Sequence, residues 1–196
     1  SGYAAGWRLM TEIQPSILAL LAITVGLGLL AFAVVTTTAF IKVSVVLFLV
    51  RNALGTQSIP PNIVLYGAAL ILTVFISAPV FEQTYNRLTD PQLRYQSFDD
   101  WVMAAKEGQE PLRVHLKKFT NEEQRRFFLS STEHVWSEEM RGSVTADDFS
   151  ILVPSFLISE LKRGFEIGFL LYLPFITIDL IVTTILMAMG MSMVSP

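Results

Sequence analysis

Apolar residues in this chain fall into long stretches on either side of one polar interval. Ile13 to Ile41 holds no formal charge over 29 positions, more than the ~20 apolar residues a helix needs to cross a hydrocarbon core. The stretch runs on past Thr36, Thr37 and Thr38 into AFIKVSVVLFLVRNALG, where Gly55 is placed to stop a helix. Pro60, Pro61 and Asn62 then read as a rigid turn. Asn62 to Phe81 follows as a second membrane-type helix, with Pro79 breaking its last turn. The last stretch, Phe149 to Met193, is two apolar runs that meet at Pro174. These patterns predict an all-α, integral-membrane-type protein with apolar helices over about 13–53 and 62–81. A polar helical domain over 82–148 is inserted before a C-terminal region over 149–196.

The polar interval reads as short helices. Ser97 to Asp100 forms a capping box ahead of an apolar face of Phe98, Trp101, Val102 and Ala105, and Thr120 to Glu123 forms a second ahead of Phe127 and Phe128. Pro111 suits the first turn of a helix carrying Leu112, Leu116 and Phe119. Thr145 to Asp148 is a third box, opening the C-terminal region, and Pro154 marks a kink or restart there.

Charges inside the apolar stretches carry the most information, because each costs roughly 2.5–3.5 kcal/mol at the centre of a membrane helix. Lys42 and Arg51 lie nine apart, about 180° around a helix, so they cannot share one face. Arg51 suits the last turn of its helix, whereas Lys42 calls for a carboxylate on another helix or subunit. In SELKRGFEIG, Glu160 and Arg163 are i, i+3, Lys162 and Glu166 are i, i+4, and Gly164 with Gly168 makes a GxxxG pair. One reading is a self-neutralised helix. The other is that the glycines pack between subunits while the spare charges form intersubunit pairs. Asp179 has no cation at i±3 or i±4 and should pair across helices, Lys42 being one candidate. Pro174 leaves no room for a polar loop, so a broken or re-entrant hairpin shielded by neighbours is expected there.

Composition agrees with a membrane protein: 52% hydrophobic, 16% charged, mean hydropathy +0.52. Residues 82–148 hold 13 acidic and 9 basic residues, a balance of −4, which argues against a nucleic-acid partner. No cysteine is present, which excludes disulfides and thiolate sites. His115 and His134 are isolated, and no hydrolase, zinc-protease or phosphate-loop motif occurs, so neither an enzyme nor a cofactor or metal site is expected. Glu107, Glu110, Glu122 and Glu123 sit beside Arg113, Lys117, Lys118, Arg125 and Arg126 at helical spacing, a salt-bridged face. Met187, Met189, Met191 and Met193 alternate around Gly190. Such deformable side chains either fill a helix interface or seal a pore.

Thr38 to Thr73 and Leu152 to Pro196 resemble, in order, the two signature segments of the FliP/SctR family of type III protein export. The FIKVSVVL and YGAALILT wording is more similar to the injectisome (SctR) branch than to flagellar FliP. The resemblance implies a homo-oligomer of about five copies, helical or ring-like. It would assemble with SctS/FliQ-type and SctT/FliR-type subunits and with the large SctU/FlhB-type gate protein. The complex would sit in the bacterial inner membrane, largely on its periplasmic side, and conduct unfolded secreted proteins. The methionine run then matches a gasket, Met191 and Met193 falling on matching positions and Ser192 departing from the usual methionines. The family also carries a further apolar segment, so a tail beyond Pro196 is expected. The rival expectation is a small secondary transporter or proton channel in which Lys42, Glu160, Glu166 and Asp179 form a relay.

Overall fold

A computed structural model describes residues 2–56, 58–91 and 96–191, with side chains from Ile17 onward. The chain divides into two compact units, residues 1–35 and 36–196. The first is a single helical rod. Its helix α1 spans Gly2–Thr37, and from Ile17 to Phe32 every side chain is exposed. A helix apolar on all sides suits lipid or other helices rather than water.

In the second unit the expected long helix over 13–53 is interrupted. Thr38 and Ala39 leave the helix, and α2 begins anew at Phe40–Ala53. Three consecutive threonines, β-branched and with hydroxyls that compete for backbone groups, make this the weakest point of the stretch. Gly55 ends α2 in the left-handed conformation, φ +66°, as its sequence position implies. Arg51 lies in the last turn of α2, where it donates to Asn62 Oδ1 at 2.6 Å and to the Pro60 carbonyl at 3.3 Å.

Helix α3 spans Asn62–Leu88 and does not break at Pro79. A single proline removes one backbone bond, here to the Phe75 carbonyl, and a helix this long retains the rest. Leu65, Ala69, Thr73 and Ser77 are its buried positions, one turn apart, and the helix packs against α2 and α4.

The polar domain holds α4 (Phe98–Phe119), α5 (Glu122–Val135) and α6 (Glu138–Arg141). The Ser97–Asp100 box forms as expected, with Asp100 N–H donating to Ser97 Oγ at 3.2 Å and Ser97 N–H to Asp100 Oδ2 at 2.9 Å. The other two boxes do not. Thr120 is the C-cap of α4, its hydroxyl bound to the Leu116 carbonyl at 2.6 Å, and Asn121 caps α5 by accepting from Glu123 N–H. Asp148 is the residue before α7, and its carboxylate turns back to accept from Thr145 N–H at 2.6 Å. Pro111 lies inside α4 rather than at a start. The buried face of α4 is Ala104, Gly108, Pro111 and Leu116, leaving Phe98 and Trp101 exposed. Gly108 decides this: a Cβ there would stand 2.8 Å from Leu88 Cδ2, so the glycine lets α3 approach. Three of the four glutamates are paired on a solvated face, Arg87 with Glu107, Arg113 with Glu110, Arg126 with Glu122.

Helix α7 spans Phe149–Ala188 and passes through both Pro154 and Pro174. The break and hairpin expected at Pro174 are therefore absent, the proline removing only the bond to the Leu170 carbonyl. Its first half packs against α4 and α5, with Leu116, Leu152 and Phe156 as core, and α2 runs alongside. Ile17–Thr37, Asn62–Leu88 and Phe149–Ala188 are each long and apolar enough to cross a membrane.

A buried charge cluster and an exposed methionine end

Lys42 and Glu160 meet where α2 lies on α7. Lys42 Nζ is 2.7 Å from Glu160 Oε2, and Arg163 Nη1 is 3.5 Å from Glu160 Oε1, so both carboxylate oxygens are engaged. Glu160 is 1% exposed. The partner of Lys42 is thus Glu160 and not Asp179. A pair of this kind gains little net stability over an apolar replacement, but breaking it strands a charge. The i, i+3 pair Glu160–Arg163 forms, while Lys162 and Glu166 stand exposed without an ion pair among the described residues. Lysine ahead of glutamate is the weaker order for an i, i+4 pair.

Gly164 and Gly168 receive α2 of their own chain. A Cβ on Gly164 would lie 3.2 Å from the Lys42 Cα and carbonyl oxygen, and one on Gly168 would stand 3.1 Å from Leu49 Cβ. This face is occupied by α2 of the same chain. The missing side chains bring α2 near enough for the short Lys42–Glu160 contact.

Further along α7 the charges are open. Asp179 is exposed and makes no ion pair or hydrogen bond among the described residues. It lines a cleft of about 650 Å³ with Asn52, Gly55, Tyr172 and Ile176. Glu166 borders a second, of about 570 Å³, with Leu49, Phe169 and Tyr172. Of the four residues in the proposed relay, Lys42 and Glu160 touch, and neither Glu166 nor Asp179 is joined to them.

The C-terminal end of α7 is equally unpartnered. Met187, Met189 and Met191 are 59%, 63% and 44% exposed, and Met193 lies outside the described residues.

One cluster was not anticipated. Asp147, just before α7, takes Lys117 at 2.7 Å and Arg125 at 3.5 Å, and its backbone carbonyl accepts from Arg113 at 3.1 Å. The Lys117 hydrogen bond, more than the slight burial opposing it, holds its carboxyl below the usual range. Next to it, Asn121 N–H donates to Ser159 Oγ at 2.9 Å, and the His115 ring packs on Phe119 and Phe156 at 4.8 and 6.1 Å between centroids. Burial pushes the His115 imidazole below its ordinary value of 6.5, against the pull of Glu160. The unfolded chain then takes up the proton first as pH falls below 6.5, so the stability His115 contributes is present above that pH and lost below it. We expect wild type to lose more melting temperature between pH 7.5 and 5.5 than His115→Gln does, in mild detergent. Equal losses would remove His115 from the acid response.

Three helices of membrane length, one of which carries a buried carboxylate, Glu160, and an exposed one, Asp179, describe a membrane protein. The FliP family model matches residues 22–196, and the chain belongs to the FliP family, on its injectisome branch. It is 84% identical to the "Probable translocation protein y4yL" of Sinorhizobium fredii over 187 residues, covering 95% of this chain and 84% of that one. It is 44% identical to the "Yop proteins translocation protein R" of Yersinia pestis over 170 residues, 87% and 78% of the two chains. With the "Virulence protein YscR" of Salmonella typhimurium the identity is 39% over 187 residues, 94% and 86% of the two chains.

Proposed function

We propose that this chain is the core pore-forming subunit of a type III secretion export gate, conducting unfolded proteins across the inner membrane. Asp179 carries the reading. An unpaired carboxylate exposed on a membrane-length apolar helix is costly in lipid, so the chain needs neighbours to complete it. Glu166 and Lys162 make the same demand, and these three form the intersubunit pairs of an oligomer of about five copies. SctS/FliQ-type and SctT/FliR-type subunits complete the complex, and the SctU/FlhB-type gate protein joins it. Residues 82–148 stand on the periplasmic side. Met187, Met189, Met191 and Met193, apolar and deformable, line the narrow point as a gasket that yields to a polypeptide and closes after it.

Native mass spectrometry of the full-length protein in mild detergent, alone and with the two smaller partners, tests the assembly. A discrete oligomer near five copies that takes up both partners is expected, whereas a monomer or dimer indifferent to them would defeat the reading. In the assembled complex, Met191→Ala with Met193→Ala should raise small-ion leak while leaving assembly intact. An unchanged leak would remove the gasket.

A further inference from the structure

Alternate residues of a helix point about 200° apart, so a helix carrying methionine at every second position cannot present all of them on one side. Met187 would share a face with Met191, and Met189 would look the opposite way. The structure changes geometry inside the run. Gly190 has φ +81°. Its N–H donates to the Met187 carbonyl at 3.0 Å, and Met191 N–H reaches back to the Leu186 carbonyl at 3.0 Å. These two bonds are the Schellman motif, which satisfies two of the orphan carbonyls at a helix C-terminus and turns the chain away from the axis.

We propose that Gly190 is a positioning residue of the gate: its left-handed backbone ends α7 between Met189 and Met191 and carries Met191 off the helix. The inference rests on the reading of these methionines as a seal. Space is not what Gly190 provides, since a Cβ there would meet nothing within 4 Å. Only the positive φ requires glycine. Substitutions should therefore rank by tolerance of that conformation and not by size. Asparagine enters the left-handed region readily, alanine loses about tenfold in population there, and β-branched valine loses more. With the turn lost, α7 can wind on and return Met191 to the face of Met187.

The test compares Gly190→Asn, Gly190→Ala and Gly190→Val in the full-length protein within the assembled complex, with Met191→Ala as reference. Amide exchange over residues 186–191 reads the turn, and small-ion leak reads the seal. Gly190→Asn is expected to keep slow exchange and a wild-type leak. Gly190→Ala should speed exchange at the turn about tenfold and raise the leak, and Gly190→Val should do both more strongly. Faster exchange with no leak, while Met191→Ala leaks, would overturn the proposal and leave the seal standing. So would a leak greater for Gly190→Asn than for Gly190→Ala, the order of size. No leak from Met191→Ala would remove the seal and with it the role of Gly190. Should Gly190→Val fail to assemble, the asparagine and alanine variants decide: equal leak overturns the proposal.

Discussion

Glu160→Gln is expected to destabilise the protein by about 3 kcal/mol, the low end of the range for removing one member of a buried ion pair. Glu160 is nearly fully buried and accepts from two cations. The amide keeps the volume and a hydrogen-bond acceptor, but leaves Lys42 with no countercharge. Arg163, its side chain 41% exposed, can turn to solvent. Lys42, 23% exposed with its backbone pressed against Gly164, has less freedom. Adding Lys42→Met should recover a large part of the loss, because the stranded charge is what costs, not the absence of the pair. Denaturation in mild detergent at one fixed protein concentration measures both variants, since stability shifts with concentration in any assembling protein. A single-variant cost below about 1 kcal/mol, as for a surface pair, would show that the cluster is open to solvent. Simple additivity in the double variant would show that the two residues act separately.

That pair also marks where sequence reasoning stops. The cost of Lys42 in an apolar run was legible, and so was the need for a carboxylate. Choosing between Glu160 and Asp179 was not, because the choice rests on the close approach of α2 at Gly164, a tertiary fact. The GxxxG pair shows the same limit: its small surface is plain in the sequence, while its occupant, Leu49 and the Lys42 backbone, is not. Local signals fared according to how local their physics is. The Ser97–Asp100 box and the left-handed stop at Gly55 depend on neighbours within a few residues, and both are present. Thr120 and Asn121 compete for one cap, and Asn121 holds it, its own N–H meeting the Ser159 hydroxyl from across the fold. Proline is a weak marker of helix ends in this chain. Pro79, Pro111, Pro154 and Pro174 all lie inside helices, since one lost backbone bond is small beside the packing or length that holds each helix.

Phe156→Ala is the other substitution expected to cost about 3–5 kcal/mol, the range for emptying a buried aromatic site. Phe156 is the largest fully buried side chain among the described residues, and it fills the junction of α4 and α7 with Leu116 and Leu152, flanked by Leu112, Phe119, Phe149 and Val153. The surrounding ion pairs at Asp147 are about half exposed and cannot make up such a loss. Because the cavity opens between the polar domain and α7, the first consequence should be local: α4–α6 loosen and become open to protease before the apolar helices unfold. Phe156→Leu, which keeps most of the apolar volume, should lose no more than about 1.5 kcal/mol. Limited proteolysis and thermal denaturation of the three proteins check this together. If Phe156→Ala stays within about 1 kcal/mol of wild type and resists protease equally, the polar domain is held on α7 by its charges and not by this core.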